Sequence, residues 1–172
     1  MSFQVAIDRL YHRIMLVIGR GRITTLNDAG AVQLMQVKLG ALETTDNLPR
    51  LAEYGFNSNP PVGSDAVLLF VGGNRTNGVV IATGNQQFRM KSLAPGEVSL
   101  SDNLGQTVYL SQAGIVVKGA GLPMKLTNTP SITLDTPSVV MTGNVTVQGN
   151  LTEQANLTVD QTTTTANLEV GS

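Results

Sequence analysis

Three triplets near the end of this chain, Asn144-Val145-Thr146, Asn150-Leu151-Thr152 and Asn156-Leu157-Thr158, begin six residues apart, each preceded by a small residue (Gly143, Gly149, Ala155). Asn167-Leu168-Glu169 echoes them after the threonine run 162–165. A period near six with apolar residues alternating with Thr spells one short strand and one tight turn per unit, the pattern of a β-helix or β-prism. Strand alternation then points Val145, Val147, Leu151, Leu157, Val159, Leu168 and Val170 inward and Thr146, Thr152 and Thr158 outward.

This repeat constrains the number of chains. A coil of such short strands gives one chain only a narrow apolar stripe, which falls short of the roughly 1–2 kcal/mol of backbone entropy lost per ordered residue. A single-chain β-helix needs long coils with bulky aliphatics on every face and leaves two open ends. Three chains wound round a common axis supply one face each and pair their strand edges with one another. Residues 93–172 are therefore expected to form an intertwined trimeric β-helix. Val98 and Leu100, Val108 and Leu110, Ile115 and Val117, and Ile132 and Leu134 continue the same alternation upstream.

Charge separates this region from what precedes it. All eleven Lys and Arg residues lie at or before Lys125, against eight acidic residues there, a surplus of +3. Beyond it stand only Asp135, Glu153, Asp160 and Glu169, giving −4. Two physically different modules are expected. There is no cysteine, so neither disulfides nor thiolate metal sites exist, and with aromatics at 4% and no Trp any core is built from Val, Ile, Leu, Met and Ala.

Between residues 21 and 92 the text becomes short β-type runs: Gly21 to Thr25, Ala31 to Leu39, Asp65 to Val71 and Gly78 to Thr83. Turn-forming clusters separate them, at 27–30, 57–61 and 72–78. Length and rhythm fit a closed five-stranded barrel of the oligonucleotide/oligosaccharide-binding (OB) type, with 43–61 as a long loop. Residues 1–20 carry Phe3, Ile7, Leu10 and Ile14 at helical spacing, predicting one short amphipathic helix that lies on its own barrel, with docking to a neighbouring subunit as the alternative, and that ends at Gly19 and Gly21. The expected fold class is mainly β: a short N-terminal helix, an OB-type five-stranded barrel, then the intertwined trimeric β-helix.

The stretch Pro61-Val62-Gly63-Ser64-Asp65, followed by Val71-Gly72-Gly73-Asn74-Arg75-Thr76-Asn77-Gly78-Val79-Val80-Ile81-Ala82, resembles the Mu-like phage baseplate assembly protein V family, the central tail spike. So does Leu93-Ala94-Pro95-Gly96-Glu97-Val98, with Asp102, Gly105-Gln106, Val108, Leu110 and Gly114-Ile115-Val116-Val117 beyond it. The resemblance implies a homotrimer in the virion's tail baseplate, made in the host cytoplasm and bound to a baseplate hub protein at its OB end. It implies a tapering β-helix that pierces the host outer membrane, with transient contact, when the sheath contracts. Such spikes commonly hold an apical iron through a His-x-His motif from each chain. Here the one histidine is His12, far from the C-terminus, so no cofactor and no metal site are expected. Three ends are consistent with that: apolar closure around Leu168 and Val170, a separate tip protein, or a shortened form of the chain.

Other chemistries find little support. His12 reads as an exposed helix residue four positions after Asp8, and a nucleophilic triad cannot be assembled around it. Gly72-Gly73 precedes no helical pattern and reads as a hairpin turn, not a phosphate loop. Asp135 and Glu153, taken as a glycosidase pair, are more simply isolated charges that keep a Thr-rich surface soluble. No catalytic residue is assigned and no enzymatic activity is expected. The alternative is an OB-fold binding module for nucleic acid or glycan with a trimerising β-rich tail. Gripping single strands needs a basic groove with stacking aromatics, whereas Phe56, Phe70 and Phe88 are scattered and Phe70 sits in an apolar strand, so no nucleic acid is expected as partner. Glycan recognition lacks aromatic residues after Tyr109. No run reaches the about 20 apolar residues that span a bilayer, and Ile14 to Ile18 is too short for the core of a secretion signal.

Overall fold

The computed structural model describes residues 3–161, 163 and 164. It is mainly β, with one short helix and antiparallel sheets. It divides into two units, Met1–Lys125 and Leu126–Ser172.

Helix α1 spans Phe3–Met15. His12 and Arg13 in its last turn suit the negative end of the helix dipole. The Leu16 N–H closes that turn on the His12 carbonyl at 3.1 Å. The helix thus stops before the two glycines expected to end it. Gly19 and Gly21 lie instead inside strand β1, Ile18–Asn27. They are there for space: a Cβ on Gly19 would stand 2.8 Å from the Phe70 ring, and one on Gly21 would collide with the Lys38 carbonyl oxygen. The expected helix lying on its barrel is also modified, since none of its residues is buried.

Strand β1 is long and bent, and the bend lets it serve two neighbours. Its first half pairs with β4 (Asp65–Phe70) and its second half with β2 (Leu34–Lys38), with a bulge between Ile23 and Thr25. The hydroxyl of the intervening Thr24 bonds the Gln36 side-chain oxygen at 2.7 Å. Strand β3 (Thr44–Pro49) adds to β2, and β5 (Gly78–Gly84) adds to β4, giving the order β3-β2-β1-β4-β5. The sheet curls until its edges meet, with Arg50 bridged to Val80 and the Leu51 N–H on the Val80 carbonyl at 2.9 Å. Inside are Ile23, Met35, Val37, Leu48, Ala66, Leu68, Phe70 and Val80, an aliphatic core around one phenyl ring.

Strand β3 falls in the segment expected to be a loop. Its residues, Thr44-Thr45-Asp46-Asn47-Leu48-Pro49, show no apolar alternation, and only Leu48 enters the core. Pro49 closes it at the sheet edge, where a missing N–H costs least. The remainder of the loop is pinned by Arg50, which donates to the Gln33 side-chain oxygen at 2.9 Å and to the Ser58 carbonyl at 2.6 Å. The loop returns through buried Ser64, whose hydroxyl donates to the Pro61 carbonyl at 2.6 Å and accepts from the Asn85 amide at 3.0 Å.

The same unit carries a second antiparallel sheet, β6 (Val98–Ser101), β7 (Thr107–Ser111) and β8 (Gly114–Lys118), in that order. The Asp102 carboxylate shapes the β6–β7 turn by accepting from the Leu104 and Gln106 N–H groups at 2.9 and 2.8 Å. Gly105 supplies the left-handed φ of 90° that the turn requires.

In the second unit the described residues form no strand within the chain, so the alternation at Ile132 and Leu134 does not produce one here. Its hydrogen bonds are local, as between the Thr129 hydroxyl and the Ser131 carbonyl at 2.8 Å or the Ala155 N–H and the Glu153 carboxylate at 2.9 Å. Among the described residues of this unit the backbone groups therefore have no strand of their own chain to pair with.

Candidate functional site

The register of the second sheet sorts its side chains onto two faces. Val98 stands opposite Leu110, and Leu110 opposite Ile115; Leu100 stands opposite Val108, and Val108 opposite Val117. Because side chains alternate along a strand, these six aliphatics occupy one face in two cross-strand rows. The other face carries Ser99, Tyr109 and Val116, then Ser101, Thr107 and Lys118. The sequence pairs Val98/Leu100, Val108/Leu110 and Ile115/Val117 therefore come together as one surface.

That surface is uncovered. Exposures run from 40% for Val108 to 71% for Ile115, whereas the aliphatics of the core inside the curled five-stranded sheet are essentially fully buried. The row Leu100–Val108–Val117 forms one wall of a cleft of about 780 Å³, whose other walls include Pro60, Phe88 and Met124. A water-facing sheet normally presents polar residues outward, and contiguous exposed apolar surface of this kind marks an association site.

Glu97 fixes the entry to this sheet. Its carboxylate accepts from the Tyr109 hydroxyl at 2.5 Å, the Ala94 N–H at 2.8 Å and the Gln112 N–H at 3.1 Å. The phenol above all, then the two backbone donors, hold the Glu97 carboxyl below the usual glutamate pKa. The same bond, with some desolvation, raises the Tyr109 phenol above its ordinary value. One side chain thereby ties the loop before β6 to β7 and to the β7–β8 turn. Its one local signal is the place of Glu97 in a Pro-Gly-Glu run.

The other singled-out residues are dispersed. His12 is exposed on α1, its ring 6.0 Å from that of Tyr11 in an edge-to-face arrangement, while the nearby Asp8 carboxylate accepts from Gln4 at 3.1 Å. Gly72 and Gly73 lie in the turn between β4 and β5, with φ of 62° and 71°, as the hairpin reading requires. Phe70 is buried in the core of the five-stranded sheet with the Arg75 guanidinium 4.4 Å from its ring centre, whereas Phe56 is exposed on the loop after β3. Asp135 and Glu153 are exposed. Val145, Val147, Leu151, Leu157 and Val159, expected to face inward, are 49% exposed or more in the single chain. Leu168 and Val170 lie outside the described residues. Among the described residues no three His, Cys, Asp or Glu side chains gather as a metal site would need, and no helix is long and apolar enough to cross a membrane.

Residues 20–87, which run from β1 through β5, match the family described as Bacteriophage Mu Gp45, N-terminal. The chain is 29% identical over 138 residues to the baseplate puncturing device gp45 of Escherichia phage Mu, covering 80% of this chain and 70% of that one. It is also 29% identical over 139 residues to the Mu-like prophage FluMu protein gp45 of Haemophilus influenzae, covering 78% of this chain and 76% of that protein. The curled five-stranded sheet is thus the part that the family description covers, and both similarities are too long to be confined to it, so the likeness to the Mu-like baseplate spike proteins extends beyond that sheet.

Proposed function

We propose that three copies of this chain form the central spike of a contractile tail baseplate, which pierces the host outer membrane when the sheath contracts. Similarity to a baseplate puncturing device supports a place in the virion's tail baseplate. The observation that carries the rest is the uncovered face of Val98, Leu100, Val108, Leu110, Ile115 and Val117. At about 1.5–3 kcal/mol for each aliphatic side chain taken fully out of water, covering six stabilises an assembly by several kcal/mol per chain. Residues 126–161 follow without forming a strand within their own chain. Three copies supply both needs at once, since each apolar face covers its neighbours' and each unpaired edge finds another.

In this assembly residues 1–20 form the helix, 21–92 an OB-type barrel and 93–172 the β-helix. The barrel assignment is supported by the bent β1 shared between β2 and β4 and by the Arg50–Val80 closure. The barrel end binds a hub protein, and the opposite end closes by apolar packing or under a separate tip protein. The role is mechanical and non-enzymatic, without a cofactor. A closed intertwined sheet carries axial load because bending it breaks many backbone hydrogen bonds together, and a tip without Lys or Arg has little attraction to anionic lipid.

The test is complementation of a phage or prophage whose own copy of this chain is deleted. The wild-type chain is expected to restore infective particles, and a Leu110→Glu/Val117→Glu variant with an intact barrel by circular dichroism to lower the titre at least 100-fold. Equal titres would sink the reading.

A further inference from the structure

Helix α1 carries Phe3, Ile7, Leu10 and Ile14 at intervals of four, three and four residues. That is the spacing of a coiled-coil seam, narrower than the stripe a helix uses to lie on a sheet. The seam is uncovered: none of the 13 residues is buried, and Phe3, Ile7, Leu10 and Ile14 are 82%, 43%, 61% and 60% exposed. The helix is held at its C-terminal end, where the Arg13 carbonyl lies so close to Gly73 that a Cβ there would strike it.

We infer that the α1 helices of separate copies pack along this seam as a parallel bundle at the base of the assembly. The inference rests on the trimer proposed above and adds a second contact, at the opposite end of the described chain from the repeat. The spacing calls for another helix, and the residues bordering the seam argue that it is an identical one. These borders are Gln4, Ala6, Tyr11 and Arg13, with Asp8 and His12 farther round. Copies can therefore meet with a single charge beside the seam, whereas a strongly charged partner would find no complementary row.

Length points the same way. A 13-residue helix is marginal by itself, so so short a seam works only between helices already tethered to one another. Tethering to a common body raises the local concentration to the millimolar range. Ile7 and Ile14 take one seam position and Phe3 and Leu10 the other. In free helices β-branched residues at the first with Leu at the second favour two strands, so here the copy number is set by the sheets and not by α1.

The absence of cysteine from the chain makes a clean test. Leu10→Cys and Ile14→Cys place thiols on the seam, and His12→Cys places one on the far side of the helix. Each full-length variant is oxidised under mild conditions, its mass measured by light scattering, and its disulfide-linked dimer quantified on a non-reducing gel. The seam variants are expected to give at least ten times more linked dimer than His12→Cys. Equal or negligible linking in trimeric samples overturns the helix bundle and leaves the trimer standing. A single-chain mass in all three variants, shared by the wild type, overturns both.

Discussion

Phe70 shows how few side chains hold the curled five-stranded sheet. Its ring is buried, it faces Gly19 across β1, and the Arg75 guanidinium stacks on it 4.4 Å from the ring centre. Phe70→Ala leaves a phenyl-sized void among only eight core residues. The expected loss is about 3–5 kcal/mol of barrel stability, read as a lower midpoint in urea unfolding, and a loss under 1 kcal/mol would contradict the packing described. Glu97 and Tyr109 set a different dependence. A carboxyl held below its ordinary pKa stabilises the fold above the ordinary glutamate range, and that contribution disappears as pH falls through the lowered value. A phenol held above its ordinary pKa stabilises below the ordinary tyrosine range, and that contribution disappears as pH rises through the raised value. Stability of the second sheet should thus be flat between these limits. In Tyr109→Phe the Glu97 carboxyl should titrate closer to its ordinary pKa, and an unchanged carboxyl NMR titration would rule out the phenol as the main cause.

At the scale of elements, legibility followed apolar pattern. Strands β2, β4 and β5 announce themselves through Met35 and Val37, the Ala66-Leu68-Phe70 alternation, and Val80 beyond a glycine-rich turn. Helix α1 shows in its spacing, though not where it stops. Strand β3 was illegible because a single residue, Leu48, enters the core, and its edge position is set by pairing with β2, which no local signal encodes. Gly19 and Gly21 misled for a related reason: their smallness answers Phe70 and Lys38, residues far along the chain, and not the helix beside them. For the candidate site the six aliphatics of β6, β7 and β8 were readable as alternating pairs, because strand period two is a local property. Their union into one face depends on the Asp102–Gln106 turn and on the register it sets. The Glu97 clamp was out of reach, since its three donors come from residues 94, 109 and 112.

At the scale of the whole molecule, the exposed face of the second sheet and the unpaired backbone after it describe a chain that is incomplete alone. The charge division deepens this, with every Lys and Arg at or before Lys125 and only acidic residues beyond. A single copy would expose more apolar surface than a soluble monomer tolerates, whereas in the proposed trimer the same residues become shared interior. The account therefore stands on copy number. The measurement that tests it most directly is the solution mass of the intact chain by light scattering at micromolar concentration. The account predicts three times 18.1 kDa, persisting on dilution. A mass of 18.1 kDa with an ordinary cooperative melt would contradict it, leaving the curled five-stranded sheet as a binding module whose second sheet serves some other partner.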